Sequence, residues 1–342
     1  MARTTVYNSI TTPELINQIL MENKDLYEDF LSYLSSIDRS IRTIESYKND
    51  LEIFFVWNLQ HNKNKDFIDI TKREFAKFQN HALNTWEWSP NRIRRVKSTL
   101  SSLSNYIENI LDEEEKYKNY RSIVKKIEDP VKENIREKTV LTDEQVDSLL
   151  STLVEQKQHQ KACVVALAAM CGARKSELLR FKVDFFNDDN IVFDALYKTP
   201  KIVTKGRGRN GTLLNKYVLL EFKEYLDLWL NERKELGVES EWLFVTRQNG
   251  EWKQMKVSTL NSWAITFSKI LDLDFYFHAL RHQLCTRLHK HSLPQDVIQE
   301  FFGWSSAEML KIYNDLDISD EFGKYFTKDG IKEGTVGTLD EI

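Results

Sequence analysis

An apolar run of 12 residues, from Ala162 to Ala173, is the feature that most limits what this 342-residue chain can fold into. It is far shorter than the roughly 20 apolar residues that span a bilayer, and it has no polar side that could face water. Helical periodicity holds around it, from about Leu141 to Phe181. We therefore expect a helix buried inside a domain, which delivers Arg174, directly after the run, to an edge of the core.

The composition is typical of a globular protein, and the length corresponds to about two domains at roughly 100 to 200 residues each. Hydrophobic residues make up 41% of the chain and charged residues 29%, which excludes collagen-like and mostly disordered chains. The three cysteines, Cys163, Cys171 and Cys285, have no Cys-x-x-Cys spacing, which fits a reducing compartment. The N-terminus shows no signal-peptide pattern. We expect a cytoplasmic protein with no membrane partner, nucleoid-associated if the organism is a prokaryote.

Net charge gives no direct indication of a nucleic-acid partner. The chain has 48 Lys and Arg against 52 Asp and Glu, a formal net charge of −4. The charge is uneven, however: residues 315–342 contain eight acidic residues and three lysines, a net of −5 that leaves +1 for the remaining 314 residues. The total therefore conceals basic clusters elsewhere in the chain.

Hydrophobic periodicity predicts a helical first domain over residues 1–111. One amphipathic helix covers 41–58 with Ser40 as its cap, and another starts at Pro90 behind Ser89. Residues 112–138 are dense in charge and contain Pro130, which is typical of a linker between domains. A second domain then covers 139–326 and a tail covers 327–342.

The second domain is predicted to be helical with a small antiparallel sheet. A capping-box pattern, Thr142 to Gln145, opens it. Three β-prone runs follow, Ile191–Phe193, Ile202–Thr204 and Leu213–Leu220, and Asn210-Gly211 is a hairpin-turn signal. Further helices are expected at about 221–236, 258–271, 278–291, 294–302 and 306–314. The fold class is mainly α with a small antiparallel β-sheet.

Three short motifs in this domain combine cationic and proton-transferring side chains. Arg174 is followed one turn later by Glu177, which can orient it, although such a pair is often a plain surface ion pair. His278 and Arg281 share a helix face near a helix start, where both can converge on an anion. Trp304 follows Gly303, and Tyr313 comes nine residues later; packing alone could explain either aromatic residue.

The histidines also leave a metal site open as an alternative. His278 and His282 are four residues apart, and Cys285, His289 or His291 could supply further ligands. The pattern lacks the acidic residue of the His-Glu-x-x-His motif, however. We therefore predict no metal site and regard His282, His289 and His291 as half-buried structural histidines.

In their joint order and spacing these motifs resemble those of the tyrosine recombinase (phage-type integrase) family. The chain contains Gly-x-Arg-x-x-Glu-Leu at 172–178, His-x-Leu-Arg-His at 278–282, and Gly-Trp-Ser at 303–305 followed by Tyr313. The first domain resembles the family's helical core-binding domain, through residues 43–51 and the basic helix from Pro90. Trp304 stands where most members have His, although Cre-like members carry Trp. The short segment before the first helices suggests a Cre- or Xer-like member without a separate arm-site domain.

The resemblance implies a site-specific recombinase that cuts and rejoins DNA through a 3′-phosphotyrosyl intermediate, without a cofactor. By carry-over Tyr313 is the nucleophile, Arg174 and Arg281 clamp the phosphate, and His278 and Trp304 assist. The general acid is a lysine of the β-hairpin, for which Lys205 fits best; Lys201 and Lys198 remain open because hairpin register cannot be fixed from sequence. Glu177 and His282 are expected as supporting residues.

The resemblance also implies a C-shaped clamp on double-stranded DNA and a homotetramer that joins paired recombination sites. Basic residues are our candidates for DNA contact. They are Arg39, Arg42, Lys48, Arg92, Arg94, Arg95, Lys97, Arg207 and Arg209. Near the C-terminus, a short helix at 318–326 and a strand at 335–339 in the tail are candidates for docking onto a neighbouring subunit. A type IB topoisomerase and a non-catalytic DNA-binding regulator are the alternative functions.

Overall fold

The computed structural model describes residues 10–131, 141–204, 211–291, 293–304, 326–327 and 330–331. Within these ranges the chain forms two compact units: residues 10–131 belong to the first, and residues 141–204 and those from 212 onward belong to the second. The helices and small antiparallel sheets confirm the predicted fold class. In the described ranges no helix is long and apolar enough to cross a membrane.

The first unit consists of helices around an aromatic core. The helices are α1 (Pro13–Gln18), α2 (Met21–Ser36), α3 (Ile41–His61), α4 (Lys72–Asn84) and α5 (Pro90–Ile110). Two predicted starts are confirmed: the Ser40 hydroxyl accepts from Thr43 N at the start of α3, and Ser89 accepts from Arg92 N behind Pro90. Phe54 of α3, completely buried, stacks on Phe75 of α4 with 5.2 Å between ring centroids.

The first core extends further along the chain than predicted. Tyr117 and Val124, placed in the linker by their charged surroundings, are buried in this core at 8% and 1% exposure. The Tyr120 hydroxyl lies 2.8 Å from the Ser104 hydroxyl of α5. A few apolar residues within a charged segment are enough to hold it against a core. Residues of the segment 117–127 therefore pack against the first core, although the sequence pattern placed this segment in the linker 112–138.

The second unit is built around the predicted buried helix. Its helices are α6 (Asp143–Glu155), α7 (His159–Cys171), α8 (Lys175–Leu178), α9 (Lys223–Glu235), α10 (Val257–Leu271), α11 (Phe277–Lys290) and α12 (Gln295–Phe302). Every residue from Ala162 to Cys171 is buried, as predicted from the apolar run. Helices α6, α9 and α11 all contact α7. The capping box of Thr142 and Gln145 is present at the start of α6.

The strands form three small antiparallel sheets in the chain up to residue 304. They are β1 (Ile191–Val192), β2 (Leu196–Lys198), β3 (Ile202–Thr204), β4 (Thr212–Leu214), β5 (Tyr217–Leu219), β6 (Val245–Gln248) and β7 (Glu251–Gln254). One sheet has the order β1-β2-β5, while β3-β4 and β6-β7 are hairpins. In the β3-β4 hairpin Ile202 pairs with Leu214 and Thr204 with Thr212.

Sequence patterns misplaced part of this β structure. The run Leu213–Leu220 was expected to form one strand, but it divides at Asn215 and Lys216 into β4 and β5, which belong to different sheets. Thr199 holds the break: its backbone N–H donates to the Lys216 carbonyl, and its hydroxyl accepts from the Lys216 N–H. Hairpin β6-β7 was not predicted, although its Asn249-Gly250 turn, with positive φ at both residues, is a strong hairpin signal.

A short strand pair lies near the end of the described chain. Strand β8 (Phe326–Thr327) pairs with β9 (Gly330–Ile331). Phe326 is therefore in a strand, whereas the sequence pattern placed it at the end of a helix over 318–326. The rest of that helix, the helix expected at 306–314 and the strand at 335–339 lie outside the described residues.

Candidate active site

Gly172 ends the buried helix α7 and directs the chain to Arg174. It adopts the left-handed conformation (φ +59°), which favours glycine, and a Cβ placed there would overlap the Phe302 ring. Glycine is thus required twice, for the turn and for the close approach of α12. Two residues later Arg174 precedes the single turn α8, at the edge of the core as predicted.

Glu177 fixes the orientation of Arg174. Its carboxylate accepts from the Arg174 backbone N–H at 3.0 Å and from Arg174 Nη1 at 2.9 Å. The Glu177 side chain is 1% exposed and that of Arg174 is 29% exposed. The carboxylate is therefore buried, whereas part of the Arg174 side chain is open to solvent. A bond from a fixed carboxylate holds the planar guanidinium in one orientation.

Lys216, which sequence reasoning missed, completes this ion cluster. Its Nζ lies 3.2 Å from Glu177 Oε2, and the residue is 1% exposed. Burial by itself would raise the pKa of Glu177, but the charge of Lys216 and the bonds from Arg174 outweigh burial and lower it. One signal was available in the sequence: Lys216 is the only charged residue in the run Leu213–Leu220.

Arg281 approaches the same place from α11. It is completely buried, and its Nη1 donates to the carbonyl oxygen of Gly172. Its guanidinium carbon lies 4.7 Å from the centre of the Phe302 ring and 5.2 Å from that of Trp304. The contact with Gly172 brings Arg281 to the turn that carries Arg174, 107 positions earlier in the sequence.

Trp304 is held by the turn that ends α12. Gly303 adopts a left-handed conformation (φ +65°), the Trp304 N–H donates to the Gln299 carbonyl, and the Gln299 amide donates to the Trp304 carbonyl. The indole stacks on Phe302 with 4.5 Å between centroids and a 13° interplanar angle. The packing role considered for Trp304 is therefore real, and it places the indole beside Arg281.

His278 lies in the first turn of α11, one turn before Arg281. The residue is exposed, and the ring of His282 lies 5.3 Å from the His278 ring, at an interplanar angle of 88°. Desolvation and electrostatic interaction with His282, Arg281 and Arg174 lower the pKa of His278 to about 4. The imidazole is consequently neutral near pH 7, the form that can accept a proton.

The zinc alternative finds no additional support in this geometry. Within the described ranges, which include Cys285, His289 and His291, no group of three or more His, Cys, Asp or Glu side chains is placed to hold a metal ion. Cys285 is completely buried in α11.

Several predicted site residues lie outside the described residues: Lys205, Arg207, Arg209 and Tyr313. Of the two alternative lysines, Lys198 lies at the end of β2 with its Nζ 5.9 Å from the centre of the Tyr217 ring. Lys201 is exposed and directly precedes β3. The roles of all these residues stay predictions.

Three basic residues of α5 are paired with acidic residues of the first unit. Arg95 lies 2.6 Å from Asp50, which is 1% exposed, while Arg94 and Lys97 contact Asp129 at 3.3 and 2.8 Å. Burial raises the pKa of Asp50, and the charge of Arg95 partly offsets this. These basic residues were expected to contact DNA. In the structure each of them also forms an ion pair within the protein.

The remaining candidates for DNA contact that the structure describes are also on the first unit. Arg92 stacks on Trp88 with its guanidinium carbon 3.9 Å from the ring centre. Lys48 lies 3.8 Å from Glu52, one turn along α3. Arg39 and Arg42 are exposed beside the start of α3.

The chain matches two family descriptions that together cover most of its length. "Phage integrase family" matches residues 139–319, more than half of the chain, and "Phage integrase, N-terminal SAM-like domain" matches residues 26–116. Among curated relatives, the SPbeta prophage-derived recombinase-like protein YomM of Bacillus subtilis is 29% identical, covering 75% of this chain and 74% of YomM. Tyrosine recombinase XerS of Streptococcus thermophilus is 24% identical, covering 90% and 97%.

Solved structures show the same fold at low identity. XerH site-specific recombinase, bound to a palindromic difH substrate, superposes with a TM-score of 0.63 at 19% identity, covering 83% of this chain and 79% of XerH. A lambda integrase tetramer bound to a Holliday junction gives 0.62 at 16% identity, covering 85% and 77%.

Fold, sequence and site together define a DNA strand-breaking and rejoining enzyme. The chain belongs to the phage integrase family, the tyrosine recombinases, and it acts on DNA as a site-specific recombinase.

The low pKa of His278 has a measurable consequence for DNA-free protein. We expect its imidazole to titrate near pH 4 in an NMR titration, compared with about 6.5 in an unfolded chain. Between these values the unfolded chain binds more protons, so stability falls as pH falls from about 6.5 towards 4. His278→Asn should identify the resonance and reduce that loss of stability. A midpoint above 6 would contradict the proposed environment of this ring.

Proposed function

We propose that this recombinase cleaves DNA with Tyr313 as the nucleophile and with Arg174 and Arg281 as the clamp on the scissile phosphate. The observation that carries the proposal is the bond from Arg281 to the Gly172 carbonyl, which joins two distant segments at one place. Trp304 lies beside Arg281 there, and the charge of Arg174 acts on His278. We infer that these two arginines, the imidazole and the indole N–H act together on one phosphate.

A phosphodiester needs this combination because its charged oxygens repel a nucleophile. Two guanidinium groups stabilise the extra negative charge that develops in the transition state. Arginine is suited to this role since it stays charged at any working pH and presents a planar fork to phosphate. The Trp304 indole N–H donates to the same phosphate.

The remaining roles concern protons. Tyr313 loses its hydroxyl proton, with neutral His278 as the acceptor, and attacks the phosphorus to form a 3′-phosphotyrosyl bond. The 5′-oxygen leaves and takes a proton from Lys205, which follows the last residue of β3. The covalent bond conserves the energy of the phosphodiester, so the 5′-hydroxyl of another strand can reverse the step, with no cofactor expected.

Tyr313→Phe removes the proposed nucleophile, so we expect it to abolish covalent attachment to a nicked suicide substrate and to leave DNA affinity within about 3-fold. Denaturing gels measure attachment, and gel shifts measure affinity. Tyr225→Phe, a matched change on α9, should keep the covalent product. Attachment by the Tyr313→Phe protein would refute the assignment.

Two further assays, relaxation of supercoiled DNA and strand exchange between paired sites, together with the covalent-attachment assay, separate this function from the alternatives. A type IB topoisomerase would relax supercoiled DNA without synapsis or strand exchange. A non-catalytic regulator would bind the site and form no covalent product with wild-type protein.

For the general acid we expect Lys205→Ala to slow cleavage by about 100-fold, since general-acid catalysis typically contributes 10²- to 10⁴-fold. A substrate with sulfur at the 5′-bridging position should restore the rate, because a thiolate leaves without a proton. Lys201→Ala is the matched control, with near-normal rates on both substrates. Rescue of Lys201→Ala and not of Lys205→Ala would move the role to Lys201.

We propose that the basic face of α5 contacts DNA phosphates, together with Arg39, Arg42, Lys48, Arg207 and Arg209. Asp129 lies against Arg94 and Lys97 and lowers the positive charge that this face offers. Phosphate contacts release counterions, so such binding weakens steeply with salt.

Asp129→Asn removes the negative charge beside Arg94 and Lys97 and should raise DNA affinity by about 3-fold at low salt. The gain should fade as salt rises, because exposed charges are screened. Glu115→Gln, an acid-to-amide change at a 91% exposed side chain of the same unit, is the control and should have little effect. Unchanged or weaker binding by Asp129→Asn would argue against phosphate contact at this face.

We further propose that the enzyme assembles as a homotetramer on paired recombination sites and acts in the cytoplasm, where its DNA substrate is present. Its likeness in fold to a lambda integrase that forms a tetramer on a Holliday junction supports this assembly.

A further inference from the structure

Lys216 is a buried charge to which the proposed chemistry has assigned no role. Lysine is almost never fully buried unless it is paired, because removing an ammonium group from water is costly. Here the residue is 1% exposed and its Nζ lies 3.2 Å from Glu177 Oε2. Arg174 already provides two hydrogen bonds to the same carboxylate. Orientation of Arg174 by Glu177 therefore does not by itself explain the lysine.

The backbone around Lys216 is fixed so that the ammonium stays beneath α8. The Lys216 N–H donates to the Thr199 hydroxyl at 3.0 Å, and the Lys216 carbonyl accepts from the Thr199 N–H at 2.9 Å. Asn215 donates its side-chain amide to the Thr199 carbonyl at 2.7 Å. These bonds hold the junction between the β3-β4 hairpin and β5.

The charges of Arg174, Glu177 and Lys216 indicate what the lysine does. A carboxylate in contact with Arg174 orients the guanidinium but cancels much of the charge that a phosphate would feel, and it does so strongly in a poorly hydrated site. The Arg174 guanidinium contacts Glu177 Oε1, and the Lys216 ammonium group contacts Glu177 Oε2. Lys216 thereby offsets the negative charge of the Glu177 carboxylate. Two cations and one anion leave a net charge of +1, which is the full charge of one arginine.

We propose that Lys216 is a positioning residue for strand cleavage, whose ammonium group offsets the charge of Glu177 so that Arg174 is held rigidly and still acts on the scissile phosphate as a full cation. This rests on the proposed role of Arg174 in the phosphate clamp. Lys216 itself is buried behind Glu177 and does not touch DNA.

The first test compares single variants in cleavage of a suicide substrate, with DNA affinity and melting temperature measured in parallel. Lys216→Met keeps most of the side-chain length and removes the charge, so cleavage should slow by about 10- to 100-fold, a smaller loss than removal of a direct transition-state donor. DNA affinity should stay within about 3-fold, and Lys216→Arg should recover most of the rate. Lys182→Met, which breaks the exposed pair with Glu241, is the control and should cleave normally.

The second test separates charge from structure. A methylphosphonate at the scissile position carries no negative charge, so the Lys216→Met defect should shrink to about 3-fold or less on that substrate. A purely structural anchor would give equal defects on phosphate and methylphosphonate, and that result would overturn the proposal.

A double variant covers the case in which Lys216→Met is unstable. Glu177→Gln with Lys216→Met replaces the buried ion pair by a neutral one, so it should cleave faster than Lys216→Met alone, because the uncompensated anion is gone. A double variant no faster than the single variant would overturn the proposal. If wild-type protein forms no covalent product, the proposed function fails and this role fails with it. Normal cleavage by Lys216→Met would overturn only the role of Lys216.

Discussion

The arrangement of the catalytic unit depends on the hydrogen bond that the carbonyl group of Gly172 accepts. This carbonyl accepts a hydrogen bond from Arg281, so the end of α7 is tied to the second turn of α11. The same residue leaves room for Phe302, which in turn stacks on Trp304. A buried helix ending in a left-handed glycine thus sets the position of Arg174, Arg281 and Trp304 together. The rigidity of the site comes from core packing, since the helix that supports it is buried on all sides.

Acidic residues organise the cations in both units. Glu177 holds Arg174, Asp50 holds Arg95, and Asp129 lies against Arg94 and Lys97. Each pairing holds a long, flexible side chain in place, so that side chain loses less conformational entropy when it binds phosphate. The acidic partner also reduces the positive charge at that place. The carboxylates of Glu177 and Asp50 are buried, whereas Asp129 is exposed at the surface. In the catalytic unit Lys216 restores the charge that Glu177 removes.

Sequence patterns predicted the features that depend on neighbours along the chain. Ser40, Ser89 and Thr142 were identified as helix caps because a cap is set by the few residues beside it. The spacing of His278 and Arg281 predicted a shared helix face. The division of Leu213–Leu220 escaped prediction, since it depends on Thr199, which is distant in sequence. Tyr117 and Val124 were assigned to the linker because most of the residues around them in the sequence are charged.

By itself, then, the sequence determined the family motifs, the buried helix behind Arg174, the cap at each of several helices and the chemical type of the site residues. Only the tertiary structure decided that Arg281 meets Gly172, that Lys216 lies behind Glu177 and that Asp129 faces the basic helix α5. The physical reason is distance. Helix caps and periodicity are local, whereas a buried ion or a carbonyl acceptor finds its partner through the folding of segments far apart in the chain.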